Sequence, residues 1–212
     1  MRSISTYSLF RGVIPLKLPL ILTIARIFVS PIFLVLYLNY QKMGLSLHSL
    51  PFILISLLIL SELSDFFDGY LARKYNLITE LGKILDPMAD SITRLTVLLT
   101  FTQGVIQIPL FLTFVFIYRD FIISTLRTIC ALKGVTLAAR RSGKIKAAIQ
   151  AAGIFAILIL IIPYSWGVLS LSALQTSSFF IVLCLAIYTF FSGAEYIYAN
   201  RFYIKKAWDN EK

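Results

Sequence analysis

Apolar residues in this chain run in long blocks, several near the roughly 20 residues that cross a bilayer as helix. Strands are a poor alternative, because apolar and polar residues do not alternate through the blocks. Hydrophobic residues make up 58% of the 212 and charged residues 14%, with a mean hydropathy of +0.85. Soluble domains usually carry about 25% charged residues, so a polar surface cannot be built from this composition. An all-α polytopic membrane protein is expected. Six transmembrane helices are read, at 20–40, 49–72, 86–101, 108–132, 145–163 and 174–200. The third is a compromise, since the apolar run after Arg94 is short and its first turns are polar. Residues 1–18 carry Arg2, Arg11 and Lys17 among apolar residues and read as a helix lying on the membrane interface. No short apolar core with a small-residue cleavage site stands apart from the first span, so a cleaved leader is not expected. With no repeat, linker or low-complexity segment, a single domain over 1–212 is expected.

Loop charges set the orientation. The first, third and fifth connections contain one basic residue, Lys42. The second holds Arg73, Lys74 and Lys83, and the fourth holds Lys133, Arg140, Arg141 and Lys144. The C-terminal tail adds Arg201, Lys205 and Lys206. Basic residues mark the cytoplasmic side, so both termini and the even-numbered loops are expected there, in the cytoplasmic membrane. The formal net charge of +10 then coats one membrane face, where it anchors to anionic lipids. No soluble region is left to carry nucleic acid, so a nucleic-acid partner is not expected. Cys130 and Cys184 sit in apolar stretches as small hydrophobes, and His48 falls in an outer loop with no partner motif.

The acids are distributed very unevenly. Six of the ten lie between Glu62 and Asp90, around the second connection. Intramembrane charges are costly and each is a functional candidate. Asp65 and Asp68, three apart, share a helix face near the end of the second span, and Asp86 and Asp90, four apart, share one near the start of the third. Pro87 suits a first helical turn, which places Asp86 beside the helix N-terminus. Two such helices side by side bring four carboxylates to one membrane depth. Their mutual repulsion is relieved by divalent cations, and oxygen-only ligands favour Mg²⁺ or Mn²⁺. Two bridged ions are a known device for phosphoryl chemistry. Ion pairing with Arg73, Lys74 and Lys83 is the plainer alternative. Gly69 and Ala72 keep the neighbouring face small, for a headgroup or for helix packing. Arg73 can hold a phosphate bidentately, and Gly82 suits a tight connection.

Together these residues spell Asp65-x-x-Asp68-Gly69-x-x-Ala72-Arg73, eight residues, then Gly82-x-x-x-Asp86-x-x-x-Asp90. The pattern resembles the signature of the CDP-alcohol phosphotransferases at all eight fixed positions. The resemblance implies a six-helix membrane fold, a homodimer, and a site open to the cytoplasmic leaflet. It implies that Asp65, Asp68 and Asp86 are ligands of two divalent metal ions, with Asp90 as both ligand and catalytic base. It places Gly69, Arg73 and, by its position in the loop, Thr79 against the cytidine diphosphate of CDP-diacylglycerol. The implied reaction moves a phosphatidyl group onto an alcohol and releases CMP.

The segment Arg119 to Arg127, Ser142-Gly143-Lys144-Ile145-Lys146, and Pro19 to Arg26 loosely resemble the bacterial phosphatidylglycerophosphate synthases of that family. Leu20 and Ser91 depart from that group, outside the catalytic core. The implied acceptor is glycerol 3-phosphate, a dianion whose site needs cations. Arg119 and Arg127, eight apart near one face, are candidates for its phosphate, or form salt bridges with Asp120 or Glu195. Arg141 and Lys144, three apart, form a further candidate face, or anchor the chain to lipid. Inositol phosphate, serine or phosphatidylglycerol are alternative acceptors. A cation transporter is the alternative of another class, but the acids lie at one interface and no inverted repeat is present.

Overall fold

The computed structural model describes residues 18–74, 80–134, 137 and 140–209, without the side chains of 18–22, 68, 71–73, 80–84 and 206–209. The expected interfacial segment before Leu18 lies outside the described residues. Among the described residues the regular structure is entirely helical, as expected. Six helices follow in order: α1 Leu18–Asn39, α2 Leu50–Lys74, α3 Glu80–Thr100, α4 Leu110–Leu132, α5 Arg141–Ser165 and α6 Leu171–Asp209.

Three boundaries differ clearly from expectation: the starts of α3 and α5, and the end of α6, which runs on to Asp209 instead of stopping near Asn200. Helix α3 starts at Glu80, so Gly82 is helical and Asp86–Pro87 sit in its second turn rather than at its N-terminus. Proline forfeits a single backbone hydrogen bond. An acid at the start and Leu81, Ile84 and Leu85 around it favour the earlier turn. Helix α5 starts at Arg141, which makes Arg141 and Lys144 first-turn residues instead of loop residues. Its other end closes in a left-handed glycine cap: Gly167 has φ 74°. Its N–H donates to Tyr164 O at 3.0 Å, and Val168 N–H donates to Pro163 O at 3.0 Å.

Among the described residues, three helices, over Leu50–Phe67, Arg141–Ser165 and Leu171–Lys205, are long and apolar enough to cross a bilayer, and the described side chains of α1, Thr23–Asn39, form a further apolar stretch. The exposed surface of α1 carries Phe28, Ile32 and Val35, whereas its polar residues Thr23, Arg26 and Ser30 are buried. An apolar exterior with the polar side chains turned inward is the arrangement of a chain solvated by lipid.

The chain forms two compact units, Met1–Thr96 and Val97–Lys212. In the first, α1 buries Thr23, Arg26, Ser30, Phe33 and Tyr37, a stripe at three- and four-residue steps. It packs on α2, whose stripe is Leu50, Leu54, Leu58 and Ser61. Pro31 interrupts α1, and the carbonyl it leaves without an N–H, that of Ile27, accepts from Ser30 Oγ at 2.8 Å. In the second unit, α6 packs against both α4 and α5. Its buried stripe runs Leu174, Ser178, Val182, Leu185, Thr189, Ser192, Tyr196 and Asn200. Gly153 of α5 lets Leu185 close in: a Cβ there would meet Leu185 Cδ1 at 2.4 Å.

Candidate catalytic site

The buried stripes position the acids. Continuing the α2 stripe from Ser61 by one turn reaches Asp65, and continuing the α1 stripe toward its N-terminal end reaches Arg26 and Thr23. On α3, Ala89 and Thr93 are buried, and Asp90 lies beside them at their level. Arg26, 4% exposed, donates from Nη1 to Asp90 Oδ1 at 2.9 Å and lies 2.6 Å from Asp65 Oδ1. One nitrogen of α1 therefore holds carboxylates from α2 and α3 together. One turn away on α1, Thr23 Oγ1 donates to Asp86 Oδ1 at 2.7 Å. Arg94 Nη2 lies 3.8 Å from Asp90 Oδ2. Glu62 shares this electrostatic neighbourhood with Asp65, Asp90, Arg26 and Arg94.

Of the four aspartates expected to converge, the structure joins Asp65 to Asp90 through Arg26 and ties Asp86 to the same helix through Thr23. The side chain of Asp68 lies outside the described residues, as do those of Arg73 and Thr79; Gly69 is helical and half-buried. Among the described residues, no three His, Cys, Asp or Glu side chains stand close enough to hold a metal ion. The donor chemistry is of the kind a hard divalent ion takes: carboxylate oxygens, two of them drawn onto a single buried positive charge. Sequence reasoning missed Thr23 and Arg26 as contacts of the acids. The available signal was Arg26 as a lone cation within the first apolar block, three residues from Thr23 on one face.

The second unit holds a charged cluster of its own. Arg119 Nη1 donates to Asp120 Oδ1 at 3.0 Å and Nη2 to Ser192 Oγ at 3.3 Å. Lys146, 4% exposed, donates to both Asp120 oxygens at 2.9 Å. Gly193 and Gly143 frame the arginine: a Cβ on the first would meet its Cγ at 3.0 Å, and on the second its Nη2 at 3.4 Å. Arg127 Nε donates to Tyr196 Oη at 3.0 Å, its guanidinium 5.2 Å from the ring centre. Arg140 and Ser142 both bind Glu195. Arg141 and Lys144 are exposed on the first turn of α5. Of the four cations expected to meet a phosphate, Arg119 thus pairs with Asp120 and Arg127 with a tyrosine. Lys146 is the buried cation sequence reasoning passed over in favour of Lys144. Its phase was readable, since 146, 150, 153, 157 and 161 form the buried line of α5.

Residues 16–190 match the profile of CDP-alcohol phosphatidyltransferases. The chain belongs to that family. It is 38% identical over 148 residues to the CDP-diacylglycerol–glycerol-3-phosphate 3-phosphatidyltransferase of Rickettsia typhi, covering 69% of this chain and 76% of the relative. The protein of the same name from Bacillus subtilis is 34% identical over 154 residues, 70% of this chain and 79% of the relative. That from Treponema pallidum is 33% identical over 133 residues, 63% and 60% of the two chains. The family assignment makes this a membrane enzyme of the phosphatidyltransferase class, and the resemblance carried by the aspartate signature is upheld.

Proposed function

We propose that this phosphatidyltransferase moves the phosphatidyl group of CDP-diacylglycerol onto glycerol 3-phosphate, giving phosphatidylglycerophosphate and CMP. The observation that carries the acceptor is the shared name of relatives at 34–38% identity. The pairing of Asp65 with Asp90 across two helices supports the site. Asp65, Asp68, Asp86 and Asp90 hold two divalent ions, Mg²⁺ or Mn²⁺. Bound there, the ions supply neutralising charge to the diphosphate and to the departing CMP. Gly69, Arg73 and Thr79 hold the cytidine diphosphate. Asp90 takes the proton of the acceptor hydroxyl. That oxygen bonds to the phosphorus carrying diacylglycerol, and the bond from this phosphorus to the oxygen of CMP breaks. Arg26 and Arg94 steady the Asp90 carboxylate for this step. The family match runs through both compact units, which supports one catalytic domain, and we read all six helices as spans with both termini cytoplasmic and the enzyme as a homodimer in the cytoplasmic membrane.

The acceptor phosphate is assigned to Arg119, Arg127, Arg141 and Lys144. Arg141 and Lys144 support this best, being exposed, three apart and at a helix N-terminus, where anions are favoured. Release of labelled CMP from CDP-diacylglycerol tests the whole reading. Release should require Mg²⁺ or Mn²⁺, stop with chelator, and respond to glycerol 3-phosphate. Arg141→Ala or Lys144→Ala should raise the KM for glycerol 3-phosphate roughly ten- to a hundredfold, the loss of one charged hydrogen bond, and spare that for CDP-diacylglycerol. Release driven by inositol phosphate or serine but not by glycerol 3-phosphate would overturn the acceptor. Full turnover in excess chelator would overturn the metal site.

A further inference from the structure

Arg26 stands in the acid cluster from a helix that carries none of the aspartates. Its Nη1 lies 2.6 Å from Asp65 Oδ1 and 2.9 Å from Asp90 Oδ1, so the two oxygens are no further apart than those distances together. Its side chain is 3% exposed, against 41% for Asp65 and 30% for Asp90. The guanidinium therefore lies beneath the carboxylates, at their buried side, while part of each stays open. Carboxylates this close on separate helices repel unless a cation joins them. Arg94, 3.8 Å from Asp90, is at the outer range of an ion pair.

We propose that Arg26 is a built-in counter-cation, which holds Asp65 and Asp90 together in the metal-free enzyme and thereby sets how tightly the aspartates take a divalent cation. The proposal rests on reading the aspartates as a cation site. Arg26 is a positioning residue, acting through the two carboxylates. A fixed positive charge keeps the helices associated when the site is empty, and it weakens the attraction for an incoming dication. A neutral residue at 26 reverses both effects: the empty protein becomes less stable and the divalent affinity rises. A merely structural arginine predicts something else, an equal loss of stability with and without metal.

The test uses the full chain purified in detergent. Thermal unfolding is followed in chelator and in saturating Mn²⁺, and Mn²⁺ affinity is measured by electron paramagnetic resonance. Arg26→Gln should lower the midpoint in chelator by about 5 °C, with less than half that loss in Mn²⁺. Its Mn²⁺ Kd should tighten on the order of tenfold, as expected for one fewer nearby positive charge. Arg26→Lys should keep a Kd close to that of the wild type. Equal losses in both conditions, or an unchanged or weaker Kd in Arg26→Gln, overturn the proposal and leave the cation site standing. Failure of the wild type to bind Mn²⁺ overturns both. If Arg26→Gln yields no folded protein in either condition, Arg26→Gln with Asp65→Asn decides. Removing the matching negative charge should restore folding in chelator, and no restoration overturns the proposal.

Discussion

Asp90 receives a 2.9 Å hydrogen bond from Arg26 on one oxygen and has Arg94 at 3.8 Å from the other. An asparagine there keeps an oxygen that can accept from Arg26 but loses the basic charge, which makes the catalytic and binding roles of the residue separable. Asp90→Asn should bind CDP-diacylglycerol as the wild type does while turnover falls by at least about 10²–10⁴-fold, the loss typical of a missing general base. Turnover and lipid binding measured on one preparation check this, and near-normal turnover rejects the base. At this scale the sequence was informative where one helix settles the geometry. Asp65 with Asp68, and Asp86 with Asp90, are spaced to share a face whatever surrounds them. It was silent where partners come from different helices. Nothing local to Arg26 says that it meets Asp65 and Asp90, 39 and 64 residues on, because that pairing depends on how α1, α2 and α3 are placed. Lys146 lies between these cases: its phase on α5 was legible, but its pairing with Asp120 was not.

At the scale of the helix, the start of α3 shifted because one residue carries two meanings. Pro87 suits a first turn, yet a helix that loses one hydrogen bond and keeps an apolar flank runs straight through it. Pro31 is accommodated in the same way, with Ser30 supplying the missing donor to Ile27. The close pairing of α5 and α6 depends on Gly153. A methyl group there would sit 2.4 Å from Leu185 Cδ1, 3.3 Å from Leu185 Cγ and 3.4 Å from Ile181 Cγ2. Replacing a helical glycine by alanine normally gains about 1 kcal/mol. Overpacking against Leu185, which is buried, costs about 1–3 kcal/mol and outweighs that gain. Gly153→Ala should therefore lower the thermal midpoint by a few degrees in detergent; an unchanged or raised midpoint would show that Leu185 moves aside freely.

For the whole molecule, composition and block length were enough to announce a helical membrane protein, while the number of spans was not readable from apolarity alone. Among the described residues three helices are long and apolar enough to cross by themselves; α3 carries several acids and bases, and α4 has Arg119, Asp120 and Arg127 within eight positions of one another. The predicted orientation is open to a direct check with single cysteines at Lys42, between α1 and α2, and at Lys205, near the end of α6. An impermeant thiol reagent should reach position 205 only from the cytoplasmic side and position 42 only from outside. The reverse pattern inverts the topology. The Arg26 pairing also has a consequence for biogenesis. A lone helix entering the bilayer with an arginine in its first half pays part of the cost, about 2.5–3.5 kcal/mol, that such a residue carries at a helix centre. For α1 that cost is recovered only when α2 and α3 arrive with Asp65 and Asp90, more than 60 residues of synthesis later. The first helix should thus linger beside the insertion machinery until the third emerges, so that the three helices are released to the lipid as a group.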